Sequence, residues 1–168
     1  MTRLYLARHG ETVDNERQIM QGQTQGELNV NGRVQALQLS HQFADEPLDA
    51  IIASDLHRSI QTARILAEPH HMAVVTTPLL RERDWGSFTG RYIPDLKGEA
   101  WPDDIESLAQ LKERARRFLD WLRASYPDQQ VLAVGHGIIN KAIQAVYFNK
   151  EMSEIERMKN AEVRILDI

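Results

Sequence analysis

Apolar residues along the chain fall into short runs separated by longer amphipathic stretches, and each predicts an element. Arg3 to Ala7 reads as a buried strand, with a polar segment after it. A helix is predicted from Asn31, as its cap, to about Phe43, with Val34, Leu37 and His41 on one face. Asp49 to Ala53 reads as a second strand. Ser54 and Asp55 are good helix starters, and Ile60, Ala63, Ile65 and Leu66 populate the helix behind them. Met72 to Val75 predicts a third strand. The clearest period runs from about Glu106 to Ala124, where Leu108, Leu111, Ala115, Phe118, Leu119 and Leu122 form a stripe at helical spacing. Val131 to Val134 follows as a strand, Gly137 to about Phe148 as a helix and Val163 to Leu166 as a last strand. Such alternation predicts a three-layer α/β/α domain with a mostly parallel central sheet. Ligands of such sheets bind beyond the carboxyl ends of the strands.

Composition narrows the picture. A length of 168 residues suits one domain over 1–168, and no repeat or Pro/Gly/Ser linker divides it. Lys and Arg number 20 against 24 Asp and Glu, a net charge of −4, which argues against a nucleic-acid partner. Cysteine is absent, which excludes disulfides, thiolate nucleophiles and metal–sulfur centres. No apolar run is long enough to span a bilayer, and Leu4 to Ala7 is too short for a signal peptide. A cytoplasmic protein without a membrane partner is therefore expected. The oligomeric state stays open, with a homodimer among the options.

Three predicted strands end in candidate chemistry. The first runs into Arg8-His9-Gly10, the second into the helix bearing Arg58, and the fourth into Gly135-His136-Gly137. Arg8, His9, Arg58 and His136 thus share one rim. Planar guanidiniums match phosphate oxygens in a bidentate way. Fixed cations and donors supply most of the catalysis of phosphoryl transfer. A neutral imidazole is a competent nucleophile near neutral pH. Gly10 and Gly137 would let the backbone approach a ligand closely. The N-terminus of the helix carrying Arg58 would also favour an anion.

In this combination the sequence resembles the histidine phosphatase superfamily, which includes the cofactor-dependent phosphoglycerate mutases. The resemblance covers nearly the whole chain. It rests on R-H-G-E-T at Arg8 to Thr12, Asn15, Gln21-Gly22, G-x-x-Q-A at Gly32 to Ala36, and S-D-L-x-R-x-x-Q-T-A at Ser54 to Ala63. L-x-E-x-x-x-G-x-x-x-G at Leu80 to Gly90 and G-H-G at Gly135 to Gly137 complete it. The family implies His9 as the phosphorylated nucleophile. It implies Arg8, Arg58 and His136 as the phosphate pocket, helped by Asn15, and Glu82 as proton donor to the leaving oxygen. Gln21, Gly22 and Arg83 join the expected substrate contacts. Departures fall at the pocket mouth: Asp14 where the family often has Trp, Gln25 to Leu28 for D-x-P-L, and Ile105-Glu106-Ser107 for G-E-S.

Hydrolysis of a small phosphorylated metabolite is the expected reaction. A mutase needs an extended lid, whereas about fifteen residues, Arg91 to Ile105, separate the Glu82 motif from the next helix and would form a short cap. Few residues follow the last strand, and Gln21 resembles the phosphatase branch. Mutase-type transfer and a non-catalytic phosphate-binding module remain the alternatives. No H-E-x-x-H or Walker loop occurs, and Gly86 to Gly90 misplaces its serine for a nucleophile elbow, so neither metal nor cofactor is expected. Arg83, Arg91 and Lys97 are candidates for a second anionic group of the substrate, and Trp101 for a substrate contact. Lys112, Arg114, Arg116 and Arg117 read as the wet face of their helix.

Overall fold

The computed structural model describes residues 1–168. Its elements are β1 (Arg3–Arg8), α1 (Val13–Arg17), α2 (Val30–Phe43), β2 (Ala50–Ser54), α3 (His57–Ala67), β3 (Val74–Thr77), α4 (Leu108–Ser125), β4 (Gln130–Gly135), α5 (Gly137–Phe148) and β5 (Val163–Asp167). The five strands form one sheet in the order β3-β2-β4-β1-β5. The first four are parallel, and β5 runs antiparallel beside β1. Successive residues of a strand face opposite sides, and two cores follow from this. Leu4, Leu6, Val131 and Ala133 pack with Leu111, Phe118, Ile139 and Ile143 beneath α4 and α5. Tyr5, Ala7, Leu132 and Val134 pack with Leu39, Ala63 and Leu66 beneath α2 and α3. These are the three layers that the sequence predicts. No helix is long and apolar enough to cross a membrane.

Local chemistry moved some boundaries. The side chain of Asn29, not Asn31, caps α2 by accepting from Gly32 N at 2.7 Å. The buried face of α2 is Gly32, Ala36, Leu39 and Ser40, while Val34, Leu37 and His41 point outward. Small residues decide this: Gly32 lies so close to the Glu11 backbone that a Cβ would collide with it. Leu108 is likewise exposed at the start of α4, where Ser107 and Gln110 form a capping box. Ser54 and Asp55 do not cap α3. Asp55 pairs with Arg81 at 2.6 Å, and Ser54 turns to His136.

Candidate active site

Because β1 and β4 are parallel neighbours with Arg8 opposite Gly135, their carboxyl ends deliver His9 and His136 side by side. The two rings meet edge to face with centroids 5.0 Å apart. Arg58 enters from the first turn of α3 and is 1% exposed. Glu82 comes from the loop after β3. Arg8, His9, Asn15, Gln21, Gly22, Arg58 and Glu82 line a cavity of about 280 Å³, with Ile19, Met20, Trp85, Ile93, Ile138 and Arg157 completing the wall. His136 is fully buried next to His9 and, although the sequence places it in the phosphate pocket, is not part of the cavity wall.

Hydrogen bonds fix the state of His9. Its Nδ1 lies 2.7 Å from the Gly10 carbonyl, which can only accept, so Nδ1 carries the hydrogen and Nε2 keeps its lone pair. Burial, then the Arg58 and Arg8 cations, hold its pKa well below the ordinary histidine value. His136 is depressed in the same way by burial and by Arg58. Its Nε2 is 2.6 Å from Ser54 Oγ.

The arginines are held by backbone carbonyls. Arg8 Nη1 donates to Met158 O at 2.7 Å. Arg58 Nη2 donates to Gly22 O at 2.8 Å, and its Nη1 donates to Thr24 O. Gly26 makes room for this: its φ is +69°, and a Cβ there would stand 3.0 Å from Arg58 Cδ. Burial lowers the pKa of each guanidinium to about 10, which leaves both charged at neutral pH. Four buried side-chain atoms lack a partner, and three belong to residues of this site: Arg8 Nε, Arg58 Nε and His136 Nδ1. A buried donor left unpaired costs about 1–3 kcal/mol.

Glu82 sits at the N-terminus of α5. Its Oε1 accepts from Arg83 N at 2.8 Å and Ile139 N at 3.0 Å. Oε2 accepts only from Ile138 N, at 3.1 Å, and Ile138 N also lies 3.2 Å from Oε1. Oε2 is therefore the less committed oxygen. Arg114 anchors this loop. It pairs with Glu106 at 2.8 Å and donates to the carbonyls of Leu79, Arg81 and Glu82, so it is half-buried and not part of a wet face. Asn15 Oδ1 accepts from Thr12 N at 3.1 Å and Asn160 Nδ2 at 3.3 Å, which leaves its amide hydrogens for a ligand.

Other expectations are corrected. Arg83 does not line the cavity. Its guanidinium stacks 4.8 Å from the Trp85 ring and 5.3 Å from the Trp101 ring, and Nε donates to Glu106 O. Arg91 is paired with Glu99 at 2.7 Å, and Lys97 lies outside the wall. Trp101 is 58% exposed and packs on Trp85, which takes the wall position instead. Gly10 and Gly137 admit protein neighbours, not a ligand: Gly10 abuts Gly32, and a Cβ on Gly137 would stand 3.2 Å from Arg157 Nε. The first N–H groups of α3 are taken by Gln25, whose Oε1 accepts from His57 N at 3.0 Å and whose carbonyl accepts from Arg58 N at 3.1 Å. That helix end is not free for an anion. Sequence reasoning did not find Arg157 or the Ser54 contact. No group of three or more His, Cys, Asp or Glu side chains comes together as a metal ion requires.

Comparison with known proteins gives the family. The family model for the histidine phosphatase superfamily (branch 1) matches residues 4–168. The uncharacterized phosphatase PhoE of Bacillus subtilis is 36% identical over 141 residues, covering 82% of this chain and 72% of that protein. The "Probable phosphoglycerate mutase GpmB" of Proteus mirabilis is 35% identical over 152 residues, covering 82% and 71%. Among solved structures, mycobacterial glucosyl-3-phosphoglycerate phosphatase with VO3 superposes with a TM-score of 0.91 at 29% identity, over 98% of this chain and 92% of that one. Phosphoserine phosphatase of Entamoeba histolytica superposes with a TM-score of 0.87 at 25% identity, over 98% and 90%. The chain belongs to the histidine phosphatase superfamily.

Proposed function

We propose that the protein hydrolyses a small phosphomonoester through a phosphohistidine on His9, without a metal ion. The observation that carries this reading is the His9 tautomer. Nδ1–H is spent on Gly10 O, so the Nε2 lone pair stays available in a site that also holds the unpaired Arg8 and Arg58 Nε–H donors. The Arg8 and Arg58 guanidiniums and His136 Nδ1–H hold the phosphoryl oxygens and take up charge as it spreads over them. In this reading His136 takes the Nδ1–H tautomer and its Nε2 accepts the Ser54 hydroxyl hydrogen.

In the first step His9 Nε2 forms a bond to phosphorus while the ester P–O bond breaks. Glu82 Oε2 gives its proton to the departing alkoxide, which leaves as an alcohol. Water then attacks the phosphohistidine, returning its proton to Glu82. The N–P bond breaks, and inorganic phosphate and neutral His9 are regenerated. Two guanidiniums do the electrostatic work that metal ions do in other phosphatases.

Rapid acid quench during turnover of a labelled phosphomonoester in EDTA should trap an acid-labile phosphoprotein, and His9→Ala should trap none. Undiminished trapping in His9→Ala would refute the mechanism, and loss of activity in EDTA would refute metal independence. Release of inorganic phosphate, and not its return to the organic product, separates hydrolysis from mutase-type transfer.

A further inference from the structure

Arg157 lines the His9 cavity yet forms no hydrogen bond and no ion pair, unlike Arg91, which Glu99 neutralises. Its placement is built into the fold. The segment before β5 is fastened to the catalytic rim: Met158 O accepts from Arg8, Ala161 N donates to the carbonyls of Arg8 and His9, and Asn160 Nδ2 donates to His9 O at 3.1 Å. A Cβ on Gly137 would lie 3.2 Å from Arg157 Nε and 3.5 Å from Arg8 Cζ, so both guanidinium groups lie against Gly137. No more than about 7 Å separates those two atoms. Like charges that close favour an anion near them, and the Arg157 cation is second only to burial in lowering the Arg8 pKa.

Charge matching then says how many anions the cavity takes. With Glu82 in the acid form that its proposed role requires and both histidines neutral, the positive charges of the wall are those of Arg8, Arg58 and the solvent-exposed Arg157. A phosphomonoester dianion uses two of them. One is left over, on the residue that has no protein partner.

Resting on the phosphomonoesterase reading above, we infer that Arg157 is a specificity-determining residue that binds a second, singly charged anionic group of the substrate. A carboxylate a few bonds from the phosphoester has that charge and fits that separation. The planar guanidinium edge suits it, because two parallel N–H donors match two carboxylate oxygens.

Binding in the His9→Ala protein tests this without turnover. The probes are 3-phosphoglycerate and glycerol 3-phosphate, which differ by a carboxylate against a hydroxymethyl group, and the readout is the ratio of their dissociation constants by calorimetry. A charge-assisted contact predicts a preference of about 10- to 100-fold for the carboxylate probe. Adding Arg157→Gln should bring the ratio close to one, and Arg157→Lys should keep part of it. A general loss of fold or affinity cancels in the ratio. A ratio that Arg157→Gln leaves unchanged, the absence of any preference, or no binding of either probe overturns the inference. Failure of the phosphohistidine reading is seen separately, as a wild-type protein that yields no trapped phosphoenzyme.

Discussion

Replacing Glu82 by glutamine separates a proton from a shape. Glutamine is nearly isosteric, and its carbonyl oxygen can go on accepting from Arg83 N and Ile139 N as Glu82 Oε1 does. Its amide cannot deliver a proton. Glu82→Gln should therefore cost less than about 1 kcal/mol of stability, whereas Glu82→Ala strips the α5 N-terminus of its acceptor and should cost about 1–2 kcal/mol. A positioned general acid is commonly worth about 10²–10⁴ in rate. That loss should appear in kcat/KM for an alkyl phosphate such as glycerol 3-phosphate, whose alkoxide cannot leave unprotonated. With p-nitrophenyl phosphate, whose phenolate leaves without a proton, the loss should stay below about tenfold. The alkyl-to-aryl ratio is read beside urea melts of the same proteins, so a folding defect cannot mimic the result. A proportionate drop on both substrates would make Glu82 a helix cap that sets phosphate geometry, and the acid would have to be sought elsewhere, with His136 the first candidate.

Two further outcomes follow from the site. Arg58→Ala should lower turnover by about 10²–10³-fold, with only partial rescue in Arg58→Lys; near-normal kcat/KM in Arg58→Ala would assign the phosphate to another residue. The second concerns acid stability. His9 and His136 are neutral when folded, with pKa values well below the ordinary histidine value that they regain on unfolding. As pH falls below about 6.5, the unfolded chain binds protons that the folded one does not, and each histidine lowers stability by up to about 1.4 kcal/mol per pH unit. Urea melts between pH 7 and 5 should show a shallower decline for His9→Asn than for the wild-type protein, and equal slopes would refute the burial argument.

How much of this was legible in the sequence depended on whether the determining contacts were local. The strands and α5 were readable because buried runs and glycine boundaries sit within a few residues. α1 was missed because five residues fixed by the Thr12–Asn15 capping box carry no apolar period. The inward face of α2 was misread because Gly32 and Ala36 win the contact by smallness, which a search for large apolar residues passes over. At the site, His9, His136 and Arg58 were legible because parallel strands must end on one rim. Glu82 was reachable only through the family motif, since nothing in the composition of its loop marks it. Arg157 gave no signal. Its place depends on the contact between Arg8 and Met158, 150 residues apart in the chain.

The proposed phosphoryl contacts depend on which guanidinium hydrogens the fold leaves free. Sequence logic offered two kinds of anion site, the N-terminus of the helix carrying Arg58 and the guanidiniums, and the fold withdraws the first. Gln25 occupies the start of α3, and Glu82 occupies the start of α5. The guanidiniums remain, and both are tethered through their terminal nitrogens. Arg58 spends Nη1 on Thr24 O and one Nη2 hydrogen on Gly22 O, and Arg8 spends Nη1 on Met158 O. Both keep Nε–H and at least one Nη2 hydrogen, the lateral edge of the fork, and Arg8 also keeps its second Nη1 hydrogen. That edge presents two parallel donors spaced for two phosphoryl oxygens. The backbone contacts thus orient the charge as well as hold it. A lysine ammonium at position 58 could keep the positive charge, but it could not satisfy the Gly22 and Thr24 carbonyls and still offer a paired edge.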